Sequence, residues 1–261
     1  MSTPHAPPLA GLAVVVTGGS SGIGRAIAVE LARAGADVLV HARQNRAGAE
    51  ATTKQVRSLR RQSHVLMGDL ADATAQDQLA EAAWQWRPID VWINNAGADV
   101  LTGAAADWPF ERKLAVLWQV DVVASLRLSR AIGARMKARG RGTIVNIGWD
   151  QAESGMAGDS GQLFGTTKGA VMAATRSLAR SLAPEVRVNC VAPGWIRTSW
   201  GQQAANEWQA RVCRESLVGR WGEPEDVARA VAWLVSPAAG YVNAQVIHVN
   251  GGRADNHDLA R

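Results

Sequence analysis

Seven short apolar runs, alternating with longer segments of helical periodicity, constrain this chain more than any other feature. The runs fall at residues 13–17, 37–41, 64–67, 89–94, 143–147, 186–192 and 245–249. Strands joined by helical crossovers predict an α/β fold built on a doubly wound, seven-stranded parallel sheet. Strands apolar at successive positions need helices on both faces. A chain of 261 residues with 47% hydrophobic content can enclose one such core, so a single domain over residues 11–261 is expected behind a flexible leader, residues 1–10. The leader has no basic start and no apolar h-region, so it does not read as a signal peptide. No apolar run is long enough to span a membrane.

Two cysteines, Cys190 and Cys213, are too few for a disulfide framework and have no ligand-like neighbours, which points to a reduced, cytoplasmic setting and to no metal site. The net charge is +5. Its arginines are scattered along helical segments with no aromatic binding module among them, so no nucleic-acid partner is expected.

The first run leads directly into Thr17-Gly18-Gly19-Ser20-Ser21-Gly22-Ile23-Gly24, and a helical pattern follows from Arg25. Glycines let the backbone turn tightly and approach a pyrophosphate, whose charge is met by amide N–H groups at the helix N-terminus. A glycine triplet alone is a common turn. Set between the first strand and the first helix, it points to a dinucleotide.

This spacing resembles that of the short-chain dehydrogenase/reductase family, and the similarity continues along nearly the whole chain. Gly68-Asp69-Leu70 is similar to the family's adenine-contacting turn, and Asn94-Asn95-Ala96-Gly97 to its Asn-Asn-Ala-Gly element. Pro193-Gly194-Trp195-Ile196-Arg197-Thr198 resembles the loop that holds the nicotinamide carboxamide, and residues 220–226 and 245–252 resemble the closing helix and strand. The resemblance implies a Rossmann-type fold and a cofactor site made from Gly18, Ser20, Ser21, Gly22, Ile23, Gly24, Asp69, Leu70, Asn95, Ala96, Gly97, Lys168, Pro193, Gly194, Ile196 and Thr198. At the end of the second strand, an acid would bind the adenosine ribose of NAD. Here that place falls on Ala42, followed by Arg43. A guanidinium matches a phosphate, so NADP(H) is the expected cofactor, with Arg25 as a second contact. Alone, Arg43 would read as a solvated loop residue; the missing acid and the added base point the same way.

The reaction centre departs from the pattern. Phe164-Gly165-Thr166-Thr167-Lys168 is similar to the family's Tyr-x-x-x-Lys signature, with phenylalanine where the proton-transferring tyrosine would stand. Lys168 matches, and at four residues' spacing it shares a helix face with Phe164. The place of the carbonyl-binding serine falls on Trp149, beside Asp150, and that of the water-supporting asparagine falls on Asp121. Tyr241 is the only tyrosine and lies far along the chain. Lys168, Asp121, Asp150 and Asp159 are therefore the catalytic candidates, since a buried carboxyl can be raised enough to act as an acid. Two of the acids also have a structural reading: Asp121 as an ion partner of Lys168, and Asp159, with Ser160, as a helix cap; for Asp150 a structural and a catalytic role weigh evenly.

Eleven tryptophans stand against two phenylalanines. Trp149, Trp195, Trp200 and Trp208 fall in or beside two stretches expected to be irregular, residues 149–163 and 198–219, at the sheet edge where ligands of such folds bind. They read either as flat walls for a ring-containing small molecule or as loop packing; Trp84, Trp86, Trp92, Trp118 and Trp233 read as core or interface. The function expected is an NADP(H)-dependent oxidoreductase of a carbonyl/alcohol pair with a non-standard catalytic site, and the family resemblance implies assembly as a homodimer or homotetramer. Two alternatives stay open. One is a catalytically silent NADP(H)-binding homologue, acting as a sensor or as an inactive partner; the other is a non-redox lyase or dehydratase on the same fold.

Overall fold

A computed structural model describes residues 7–199, 201 and 206–253. Its strands are β1 (Ala13–Val16), β2 (Asp37–Ala42), β3 (Ser63–Met67), β4 (Val91–Asn94), β5 (Gly142–Ile147), β6 (Val186–Pro193) and β7 (Val246–Val249). They form one parallel sheet in the order β3-β2-β1-β4-β5-β6-β7, as the apolar runs predict. The chain leaves β3 at one edge and returns to place β4 beside β1, so Val14 is in register with Val38 on one side and Val91 on the other. A crevice opens at the carboxyl ends of the strands where the winding reverses.

The helices are α1 (Gly22–Arg33), α2 (Arg46–Ser58), α3 (Ala73–Trp86), α4 (Phe110–Leu117), α5 (Ala124–Ala138), α6 (Gln151–Ser154), α7 (Asp159–Leu182), α8 (Asn206–Glu215) and α9 (Pro224–Val235). One core layer packs α1, α2 and α9 against Val14, Val16, Val38 and Val40. The other packs α3, α5 and α7 against Ala13, Val15, Leu39 and Trp92. All four residues of β1 are fully buried, which is why the strand reads apolar throughout instead of alternating. Burying each valine or leucine in this way contributes about 1.5–3 kcal/mol.

Both stretches expected to be irregular contain helix. Within residues 149–163 lie α6 and the first turn of α7, and within 198–219 lies α8. Gly158, at φ 86°, turns the chain into α7 as its N-cap; Asp159 is the first helical residue and no side chain caps the helix. The cap reading of Asp159 is thereby corrected, because glycine supplies the backbone turn that a capping side chain would otherwise stabilise. Leu9, inside the expected leader, is fully buried, and its N–H donates to Ala34 O at 2.8 Å. Residues 1–6 of the leader lie outside the described residues.

A buried polar network pins the centre of the sheet. Asn94 Nδ2 donates to Asn146 Oδ1 and to Ser129 Oγ, each at 2.8 Å, while Trp92 Nε1 donates to Asn94 Oδ1 at 2.7 Å. Asn146 Nδ2 continues to Thr175 Oγ1 at 2.9 Å. These bonds join β4 and β5 to α5 and α7, so the loops that follow the two strands leave from a fixed frame.

His41, near the end of β2, makes a second tie. Its Nδ1 accepts from the Gly18 N–H at 3.4 Å, so the other ring nitrogen carries the proton and donates to Gly68 O at 3.0 Å. The ring thus joins the glycine loop to the turn after β3. Burial holds the imidazole below its ordinary pKa, outweighing the Gly68 bond and the nearby Asp69 charge. The neutral ring's contribution is complete above the unfolded value of about 6.5 and is lost as pH falls through the depressed folded value. Urea unfolding should therefore show wild type losing more stability between pH 7 and pH 5 than His41→Gln, which should itself cost about 1–3 kcal/mol at pH 7. Equal losses on acidification would show that His41 is not the titrating tie.

Candidate active site

The glycine loop is shaped by what lies behind it. Gly18 has φ 65°, and a Cβ on Gly24 would fall 2.3 Å from Gly18 O, so a side chain at either place would force the turn apart. Thr17 Oγ1 donates to Ile93 O and accepts from the N–H groups of Asn95 and Ala96 at 2.9 and 3.0 Å. Asn95 Nδ2 in turn donates to Thr17 O at 2.9 Å and Gly18 O at 3.2 Å. The Asn-Asn-Ala-Gly element is thus bolted to the loop: Asn94 faces the core network and Asn95 holds the turn.

A cleft of about 470 Å³ lies over this loop, lined by Gly18, Ser20, Ser21, Gly22, Ile23, Gly24, Arg43, Asp69, Leu70, Asn95, Ala96 and Gly97. Sequence reasoning assigned all of these to the cofactor; His41, which also lines the cleft, it missed. Ser21, the N-cap of α1, makes no side-chain capping bond, and uncapped first-turn amides at a helix N-terminus can take an anion. Arg43 is exposed at the rim, with no hydrogen bond or ion pair to its guanidinium among the described residues. Arg25 is placed differently from expectation. It does not line this cleft; its guanidinium donates to Ser20 O at 2.5 Å and to Thr52 Oγ1 at 3.2 Å, bracing the loop from behind.

Through Ile23, Asn95 and Thr198 the cleft continues into a second, of about 610 Å³, at the ends of β5 and β6. Pro193, Gly194, Ile196 and Thr198 line it, as do Lys168, Phe164 and Trp149. Phe164 and Lys168 stand one turn apart on α7, and Phe164 meets Trp149 edge to face with ring centroids 6.4 Å apart. Lys168 Nζ lies 2.9 Å from Asp121 Oδ2 and donates to Ile147 O at 3.3 Å. Asp121 is buried, and its Oδ1 accepts from the Ala98 N–H at 2.9 Å. It sits in a π-helical stretch, Trp118–Val123, between α4 and α5.

The other candidate acids separate. Asp159 lines the cleft, with Ser160 beside it. Asp150 does not. It faces a small void on the far side of the loop with Gln151, Ser216 and Arg253; at Asp150 the backbone has already turned helical to enter α6, so Trp149 lines the cleft and Asp150 does not. Asp150 Oδ2 accepts from Asn250 Nδ2 at 3.2 Å, Oδ1 has no hydrogen-bond partner among the described residues, and burial pushes the carboxyl up against the pull of that bond. It is a perturbed acid in the wrong place for the expected role. Tyr241 is fully exposed and outside both clefts. Burial pushes the Cys190 thiol up to about 12, which leaves it inert behind the site.

Of the tryptophans, Trp149, Trp195 and Trp208 line the second cleft, and Trp200 lies outside the described residues. Trp92 is core, one of its two expected readings; Trp118 and Trp233 are exposed, which removes the core reading for them. Trp195 packs edge-on against Trp208 at 5.2 Å and against the buried Trp221 at 6.4 Å. Glu215 fixes this wall, accepting from Trp195 Nε1 at 3.0 Å and from Arg211 Nε at 2.6 Å. Burial tends to raise its carboxyl, but these bonds and the positive charges of Arg211 and Arg253 hold it below the usual range. Sequence reasoning missed Arg211 and Glu215, although Trp208, Arg211 and Glu215 at intervals of three and four carry the signal of one helix face.

Comparison with known proteins agrees with this architecture. A family model described as enoyl-(acyl carrier protein) reductase matches residues 18–254. A tropinone reductase homolog of Arabidopsis thaliana is 35% identical over 257 residues, covering 94% of this chain and 92% of the relative. The solved 3-oxoacyl (acyl-carrier-protein) reductase of Agrobacterium tumefaciens, with NADP bound, is 30% identical, covers 94% of this chain and 95% of its own, and superposes with a TM-score of 0.85. A 7α-hydroxysteroid dehydrogenase complexed with NADH and 7-oxo glycochenodeoxycholic acid is 27% identical, with a TM-score of 0.86 over 97% of this chain and 98% of its own. The glycine loop, the Asn-Asn-Ala-Gly element bolted to it, the sheet order and these relatives together show that the chain belongs to the short-chain dehydrogenase/reductase family of oxidoreductases.

Proposed function

We propose that this protein is an NADP(H)-dependent oxidoreductase of a carbonyl/alcohol pair in which proton delivery has been rebuilt. The observation that carries the reading is the continuity of the two clefts, from Arg43 over the glycine loop to Lys168, with Phe164 one turn before that lysine. The first-turn amides of α1 take the pyrophosphate, Arg43 the 2′-phosphate, and Lys168 the nicotinamide ribose. The bound cofactor supplies the hydride. Phe164 stands where the family's tyrosine would and offers no proton, and Trp149 fills the serine's place with a ring. Asp159 and the Lys168 ammonium are then the groups facing the cleft that can pass a proton. Asp121 acts through Lys168 by holding its charge. The protein is read as a cytoplasmic homodimer or homotetramer acting on a small molecule.

A second reading has its own support. The edge-to-face contact of Trp149 and Phe164 occupies the space in which a carbonyl would be oriented, as expected of a silent cofactor-binding homologue. The readings part on turnover.

The neighbouring structures carry NADP in one case and NADH in another, so cofactor choice rests on Ala42 and Arg43. Fluorescence titration should show NADPH binding more tightly than NADH. Arg43→Ala should weaken NADPH by on the order of 1.5–3 kcal/mol, the value of a charge-assisted hydrogen bond, and leave NADH nearly unchanged. Equal affinities in wild type would remove the assignment.

Carbonyl reduction over a panel of small ketones should be slow in wild type, since a general acid typically contributes about a hundred- to ten-thousand-fold. Phe164→Tyr alone should recover little, because Trp149 still blocks the orienting position and reacting atoms must be held in near-attack geometry. Adding Trp149→Ser and Asp121→Asn should raise NADPH oxidation well above the single variant, with NADPH binding checked in both. Full activity in Phe164→Tyr would reduce the change to one isolated loss. Brisk wild-type turnover would show that another group delivers the proton.

A further inference from the structure

The wall of the second cleft opposite α7 carries more than ring surface. Trp208, Arg211 and Glu215 lie on one face of α8. The Arg211 Cζ lies over the Trp208 ring, 4.7 Å from its centroid, and its Nε is tied to Glu215. Glu215 commits one oxygen to Arg211 and the other to Trp195, so it orients the guanidinium without covering it. The two terminal nitrogens of Arg211 have no hydrogen-bond partner among the described residues, and the side chain is 43% exposed at the cleft. A guanidinium placed over an aromatic ring and tethered at Nε, with its terminal fork open, can make bidentate contact with a planar oxyanion.

The remaining charges decide where such an anion can sit. Lys168 is the other cation lining the cleft; like Arg211 it has an acidic partner, buried Asp121, but two of its three N–H donors are already committed to protein. Asp159, at the first turn of α7, repels an acid from that side. Between these poles the lining is apolar and aromatic, with Trp149, Phe164 and Met156 near α7 and Trp195 and Trp208 near α8. We infer that the cleft selects a flat, ring-bearing substrate that also carries a carboxylate, with the ring between the aromatic side chains and the carboxylate on Arg211. This rests on the reading of the second cleft as the substrate site. It adds an orientation: the acid end faces α8 and the opposite end faces Lys168.

The test is direct binding, which needs neither turnover nor a known substrate. Isothermal titration of NADPH-saturated protein with 2-naphthoate and with the neutral, equally flat 2-naphthamide should give the acid about tenfold or more tighter binding, the scale of one charge-assisted contact. Arg211→Gln should abolish that difference while leaving the amide's affinity unchanged. Trp208→Leu should weaken both probes. Unchanged thermal unfolding and NADPH affinity confirm that each variant is folded. Equal affinities of acid and amide in wild type, or an equal loss of both in Arg211→Gln, would overturn the inference. Failure of the catalytic reading would look different: the acid would still bind through Arg211 while no ketone is turned over.

Discussion

The ion pair between Lys168 and Asp121 is the constraint on which the rest of the site depends. Asp121 is nearly inaccessible to solvent, with 1% of its side chain exposed, and a carboxylate there is tolerated only because an ammonium and the Ala98 N–H satisfy it. The pair also ties four pieces of chain together: the π-helical stretch that carries Asp121, the loop after β4, the end of β5 through Ile147 O, and α7. Removing one partner of a buried pair leaves the other uncompensated, typically at about 3–5 kcal/mol. Lys168 is therefore fixed for structural reasons before any ligand arrives, with two of its three N–H donors committed to protein.

The two clefts have opposite characters. Backbone geometry governs the half over the glycine loop: a left-handed Gly18, close packing at Gly24, and a loop braced by Thr17, Asn95, His41 and Arg25. Few side chains there are free to vary without moving the turn. Side chains govern the other half, where Trp149, Phe164, Trp195 and Trp208 supply ring surface and Arg211 and Asp159 supply the charges at its edges. Phe164 and Trp149 fall wholly in the second half, away from the glycine loop.

Most of the fold was legible because continuous apolar runs and the glycine loop each have one economical explanation in a doubly wound sheet. The residues expected at the cofactor, Arg25 excepted, fall together along the two joined clefts, since they follow strand ends in a fixed order. Arg25 was misread: its number places it beside the loop, but only the packing of α1 on α2 shows that it faces Thr52. Asp150 and Trp149 are adjacent in sequence and point to opposite sides, a distinction composition cannot make. The α8 wall escaped because residues 198–219 lack a strong apolar periodicity, and the contact that organises them, Glu215 with Trp195 and Arg211, joins a helix to a loop 20 residues earlier.

A crystal structure of the NADPH complex tests the central claim most directly. The expected result has the nicotinamide in the second cleft with its C4 facing the Trp149 and Phe164 rings, Lys168 on the ribose with its Asp121 contact intact, and Arg43 on the 2′-phosphate. A nicotinamide bound elsewhere, or a protein hydroxyl within about 3 Å of the position a carbonyl oxygen would take beside C4, would contradict it.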